Sequence, residues 1–178
     1  MGSAGAVTYL LDTNVVSYFL QASREKELSD AAKVVPLAIV GEVRDELAAD
    51  NKRGGPAFAK WLTGSGIDVK ELLVGSPAAN TLAQLTSGVA TAKNLGERAS
   101  VAQSLVEPGF IFVTHDKNGA WLALRETWAP GERLLGVAPF LRRLVEAKAL
   151  TEAAVLDDLI PYADPRPSWW GAWRASLT

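Results

Sequence analysis

Short, continuous apolar runs recur along the chain, and helical spacing follows each of them. The runs are Val7–Leu11, a weaker Ile67–Val74, Phe110–Thr114 and Arg133–Gly136, and uninterrupted runs of this length are what a parallel strand buried on both faces requires. Apolar residues at three- and four-residue intervals predict helices over Val15–Leu20, Glu25–Lys33, Leu37–Ala49, Pro56–Leu62, Pro77–Leu85, Glu97–Val106, Lys117–Thr127, Val137–Ala147 and Thr151–Tyr162. Strands alternating with helices predict an α/β fold, a three-layer α/β/α sandwich around a central, mainly parallel sheet. Gly- and Pro-rich stretches such as Asn51–Pro56, Gly64–Gly66 and Ala129–Gly131 mark loops. No internal repeat or long linker divides the chain.

After Tyr162 the pattern changes. Asp164-Pro165-Arg166-Pro167 reads as a helix stop, and Trp169, Trp170 and Trp173 follow it. The expected organisation is one domain over residues 1–162 and a Pro/Trp-rich tail over 163–178. An aromatic cluster of this kind needs burial, either against its own domain or in a homodimer or regulator interface.

Composition narrows the chemistry. With 178 residues and 48% hydrophobic content one substantial core can form. There is no cysteine and a single histidine, His115, so thiol chemistry and Cys- or His-rich metal sites are excluded and any metal must be held by oxygen. The apolar stretches are too short for a membrane span, and the start lacks the charged and apolar regions of a secretory leader; the expected location is cytoplasmic, with no membrane partner. A formal charge of −2, from 18 Lys plus Arg against 20 Asp plus Glu, is not the basic balance of a bulk nucleic-acid binder. An acidic centre with a local basic rim is compatible with it.

Four carboxylates stand where such a centre would lie. Asp12 closes the first apolar run in Tyr9-Leu10-Leu11-Asp12-Thr13-Asn14, and Asp116 closes the third in Phe110-Ile111-Phe112-Val113-Thr114-His115-Asp116. In open α/β sheets the carboxyl edge of the strands is where ligands bind. The plainer readings are a helix N-cap supplied by Asp12, Thr13 or Asn14, and for Asp116 a turn or cap opening the helix at Lys117. Glu97 shares a helical stripe with Val101 and Leu105, and Asn94-Leu95-Gly96-Glu97 is alternatively a capping box. Glu42 and Glu46 both flank the apolar face of Ile39, Val40, Val43 and Leu47; periodicity leaves the choice between them open, Glu46 lying slightly closer to the apolar side. Hard divalent cations such as Mg²⁺ or Mn²⁺ prefer such oxygen ligands, and they supply the charge stabilisation and activated water that phosphodiester hydrolysis needs. Without a cation, crowded carboxylates repel one another.

The strand ending in Leu11-Asp12-Thr13-Asn14, the hydrophobic lead into Gly41-Glu42-Val43, the helix headed by Leu95-Gly96-Glu97-Arg98-Ala99, and the strand end Val113-Thr114-His115-Asp116 together resemble the PIN-domain family, which includes VapC-type toxins. The resemblance covers roughly residues 7 to 150. It implies a metal-dependent endoribonuclease that cleaves single-stranded RNA by metal-activated water, with Asp12, Glu42, Glu97 and Asp116 as the catalytic acids. Of these, Asp12, Glu97 and Asp116 would hold Mg²⁺ or Mn²⁺, with Asn14 and Thr114 in support. It also implies an RNA substrate and an antitoxin or other regulatory partner. Lys52, Arg53, Arg98 and Lys117 are candidates for phosphate contacts, as is Arg142-Arg143, against the plainer reading of solvated surface cations. Glu97 is Glu where many toxins of the family carry Asp, and the tail has no counterpart in them. His115 reads as a local cleft or turn residue. The competing reading is a PIN-fold module that binds nucleic acid or protein without catalysis. A phosphatase-type enzyme with Asp12 as nucleophile is disfavoured, because no second acid stands two residues on.

Overall fold

A computed structural model describes residues 7–51, 55–88, 94–115 and 133–152. The elements in chain order are Thr8–Leu11 (β1), Thr13–Gln21 (α1), Glu25–Ala32 (α2), Leu37–Val40 (β2), Gly41–Ala49 (α3), Gly55–Gly64 (α4), Asp68–Lys70 (β3), Pro77–Thr86 (α5), Leu95–Val106 (α6), Phe110–Val113 (β4), Leu134–Leu135 (β5) and Val137–Glu146 (α7). The expected helices over Lys117–Thr127 and Thr151–Tyr162, and the tail over 163–178, lie largely or wholly outside the described residues.

The five strands form one sheet in the order β3-β2-β1-β4-β5, and every adjacent pair is parallel. The fold is α/β, as the alternation predicts. Register assigns the faces: Leu10 lies beside Ala38 and Phe112, while Tyr9 lies beside Leu37 and Ile111, and successive side chains point to opposite faces. Phe112 clusters with Val101 of α6 and Leu134, so α6 covers one face. The Tyr9 ring meets Phe140 of α7 at a centroid separation of 5.3 Å, so α7 covers the other. Helices therefore layer both sides of the sheet.

Two elements differ from the sequence expectation. Leu37–Val40, read as the first turn of a helix over Leu37–Ala49, is instead the strand β2, and the helix starts at Gly41. All four residues are buried between β1 and β3, and an apolar run with two β-branched members suits a strand paired on both edges. β3 is shorter than Ile67–Val74. As an edge strand it has one neighbour, and the chain leaves the sheet at Glu71 with Leu73 and Val74 turned to solvent, at 70% and 103% exposure.

The strand order sets the place of the site. From β1 the chain moves outward through β2 to β3, then returns to β1's other side and continues through β4 to β5. That reversal falls between β1 and β4, and the carboxyl ends of the strands at such a point are where doubly wound sheets bind ligands.

Candidate active site at the carboxyl edge

Asp12 is the first residue beyond β1. Its main-chain N–H donates to the Val113 carbonyl at 3.0 Å, which extends the β1–β4 ladder by one step, and its extended backbone (φ −78°, ψ 161°) then makes it the N-cap of α1. Oδ1 accepts from the Asn14 main-chain N–H at 2.6 Å. The cap reading of Asp12 is therefore correct, and it does not exhaust the residue. Oδ2 accepts from the Thr114 hydroxyl of the neighbouring strand end at 2.5 Å. The side chain is held at both oxygens while the residue is only 3% exposed.

Thr114 is itself fixed from the far side, its N–H donating to the Leu135 carbonyl of β5 at 3.0 Å. Asn14 supports Asp12 through its main chain, a contact that any residue but proline can supply.

Glu97 is the third residue of α6 and only 9% exposed. The capping box that is the alternative reading here lacks its Asn94 limb: Asn94 takes a left-handed conformation (φ 62°, ψ 38°) and makes no side-chain cap hydrogen bond. The cap comes from another helix. Glu46 of α3 accepts the Gly96 N–H on Oε1 at 2.9 Å and the Thr13 hydroxyl on Oε2 at 2.6 Å. One carboxylate thus ties the residue after Asp12 to the residue before Glu97. Gly96 allows that approach, since a Cβ there would stand 2.9 Å from Val43 Cγ2 and 3.0 Å from Glu46 Oε2.

Glu42, one turn earlier on α3, has different company. Burial raises its pKa above the ordinary glutamate value, the charges of Glu71 and Asp45 add to the rise, and its own amide and Arg44 oppose it. Its Oε2 is buried and meets no hydrogen-bond donor among the described residues. Of the two glutamates that periodicity could not separate, Glu46 is the one hydrogen-bonded to the starts of α1 and α6. Its signal in the sequence was its place nearer the apolar side of the helix; nothing local pointed to Thr13 or Gly96 as its partners.

Arg98 donates from Nη1 to the Leu85 carbonyl in the last turn of α5, so part of its donor set joins two helices. Asp116, Lys52, Arg53 and Lys117 lie outside the described residues.

No family model, curated protein or solved structure matches this chain. Its chemistry must be read from the site.

The donor set at the carboxyl ends of β1 and β4 is buried carboxylate and hydroxyl oxygen, the residue chemistry that a hard divalent cation takes. Among the described residues, no group of three or more Asp, Glu or His side chains stands close enough to hold an ion. Asp12 and Glu97 are two members of the expected set, and the third, Asp116, is not described. Among the described residues no helix is long and apolar enough to cross a membrane.

Proposed function

We propose that the chain is a Mg²⁺- or Mn²⁺-dependent endoribonuclease acting on single-stranded RNA at the carboxyl ends of β1 and β4. The observation that carries this reading is the anchorage of Asp12: a buried carboxylate at the reversal of strand order, held by Thr114 just beyond β4 and by the start of α1. Burying a carboxylate is costly unless it is partnered, and a carboxylate placed and held there has the chemistry for a ligand that prefers oxygen.

Asp12, Glu97 and Asp116 are the residues that would hold the cation, which when bound neutralises phosphate charge and makes water a competent nucleophile near neutral pH. Thr114 fixes the Asp12 carboxylate through Oδ2, and the Asn14 amide fixes it through Oδ1, so little reorganisation is left for the reaction. Glu46 holds the starts of α1 and α6 against each other, and with them the residues next to Asp12 and Glu97. The resemblance of the four acidic motifs to the PIN-domain family supports the same reading.

The test is cleavage of a labelled single-stranded RNA with Mg²⁺ or Mn²⁺, with EDTA, and with the Asp12→Asn variant. Asparagine keeps an oxygen for the Asn14 amide, and the Thr114 hydroxyl can rotate to accept from its NH₂, so the variant is expected to fold. Cleavage should be lost in EDTA and in Asp12→Asn. Undiminished cleavage in either sinks the proposal.

A further inference from the structure

Tyr18 of α1 and His115, the residue after Thr114, form an edge-to-face pair with ring centroids 5.2 Å apart and planes at 81°. Both are half-buried, with Tyr18 packed in part against the main core, so each residue keeps part of its surface exposed. Its position follows from the same two chain segments that place Asp12. Tyr18 stands six residues along the helix that Asp12 caps, and His115 adjoins the threonine bonded to the Asp12 carboxylate.

Charge gives a second, independent reason to look for a contact other than phosphate clamping. The chain carries 18 Lys plus Arg against 20 Asp plus Glu, and its candidate centre is acidic. Of the cations that the sequence offers for phosphate, Arg98 donates from Nη1 to the Leu85 carbonyl, and Arg142 forms an exposed pair with Glu146 at 3.1 Å. A net charge of this balance adds no long-range attraction for a polyanion. Stacking of bases on aromatic rings is the alternative source of affinity for an unpaired strand, and it needs no net positive charge.

We propose that the Tyr18–His115 pair is a stacking platform that holds a base of single-stranded RNA beside the candidate site, with Tyr18 as the residue that determines binding. The proposal rests on the ribonuclease reading for its substrate class and deepens it. Tyr18 does no chemistry; it sets how strongly an unpaired strand is held next to Asp12.

The experiment uses the full chain, a single-stranded RNA carrying 2-aminopurine, and the variants Tyr18→Leu and Tyr18→Phe. Stacking quenches 2-aminopurine fluorescence whether or not cleavage occurs. Wild type and Tyr18→Phe should quench alike. Tyr18→Leu should lose the quench and raise KM about tenfold at unchanged kcat, the scale of one base–ring stack, with a melting temperature that shows it folded. The apparent affinity of wild type should fall only shallowly with salt. Equal quench and equal KM in folded Tyr18→Leu overturn the platform and leave the ribonuclease reading standing. Ring-dependent quench without any cleavage supports the platform while removing the ribonuclease reading. Loss of quench in Tyr18→Phe, which keeps the ring, also overturns it.

Discussion

The Thr114 hydroxyl donates to Asp12 Oδ2 at 2.5 Å across adjacent strand ends, joining residues 102 apart in sequence. A hydrogen bond to a charged group contributes about 1.5–3 kcal/mol, more than a neutral one. Thr114→Val keeps the shape and removes the donor from a carboxylate that is 3% exposed. Urea unfolding should show a loss of about 1.5–3 kcal/mol, and cleavage by the variant should fall as well. A Thr114→Ser variant restores the hydroxyl and should recover most of both. Wild-type stability in Thr114→Val would mean that Asp12 does not depend on this donor.

Glu46 joins α1, α3 and α6 through one carboxylate. Glu46→Ala leaves the Thr13 hydroxyl and the Gly96 N–H without that acceptor, and should cost about 2–3 kcal/mol in chemical unfolding. Glu46→Gln keeps an oxygen to accept from the Gly96 N–H and gains an NH₂ that can donate to the Thr13 hydroxyl, so it should fall between wild type and alanine. An alanine variant as stable as the glutamine one would show that the two helix starts are held by other contacts.

Gly96 lies inside the first turn of α6, where alanine is ordinarily about 1 kcal/mol better than glycine. Here the added methyl would stand 2.9 Å from Val43 Cγ2 and 3.0 Å from Glu46 Oε2. Val43 is buried and β-branched and cannot turn away, and overpacking of this kind costs about 1–3 kcal/mol. The steric cost should exceed the gain in propensity, so Gly96→Ala lowers the melting temperature. A rise in melting temperature would contradict the close approach of α3 and α6.

Glu42 gives a pH-dependent prediction. Its folded pKa is raised, burial being the largest cause. The folded state therefore binds this proton more tightly than the unfolded chain does, and stability from this group is present below the unfolded pKa and lost as pH rises through the folded one. Glu42→Gln removes the loss. The variant should melt above wild type at about pH 7, with the advantage vanishing below about pH 4, near the ordinary glutamate pKa. An advantage independent of pH would assign it to packing and not to ionisation.

By itself the sequence determined the fold class and the edge of the sheet to inspect. Four apolar runs with helices between them sufficed for an α/β sandwich, because a buried parallel strand leaves an unbroken apolar signature. Asp12 was legible for the same reason, as the first polar residue after such a run. Leu37–Val40 was not, since a four-residue apolar stretch running straight into a helix has no period of its own and is compatible with either structure. Only the sheet, by pairing it on both sides, made it a strand.

Tertiary structure alone decided which groups meet. Strand order brought β4 next to β1 and so Thr114 to Asp12, a contact that no local pattern encodes. It also separated Glu42 from Glu46, which have nearly the same standing on a helical wheel. The hydrogen bonds of Glu46 to Thr13 and Gly96 depend on helices far apart in the chain and on the absence of a side chain at residue 96. Periodicity reports which face of an element is apolar; the partner that face meets is set by the topology of the whole sheet.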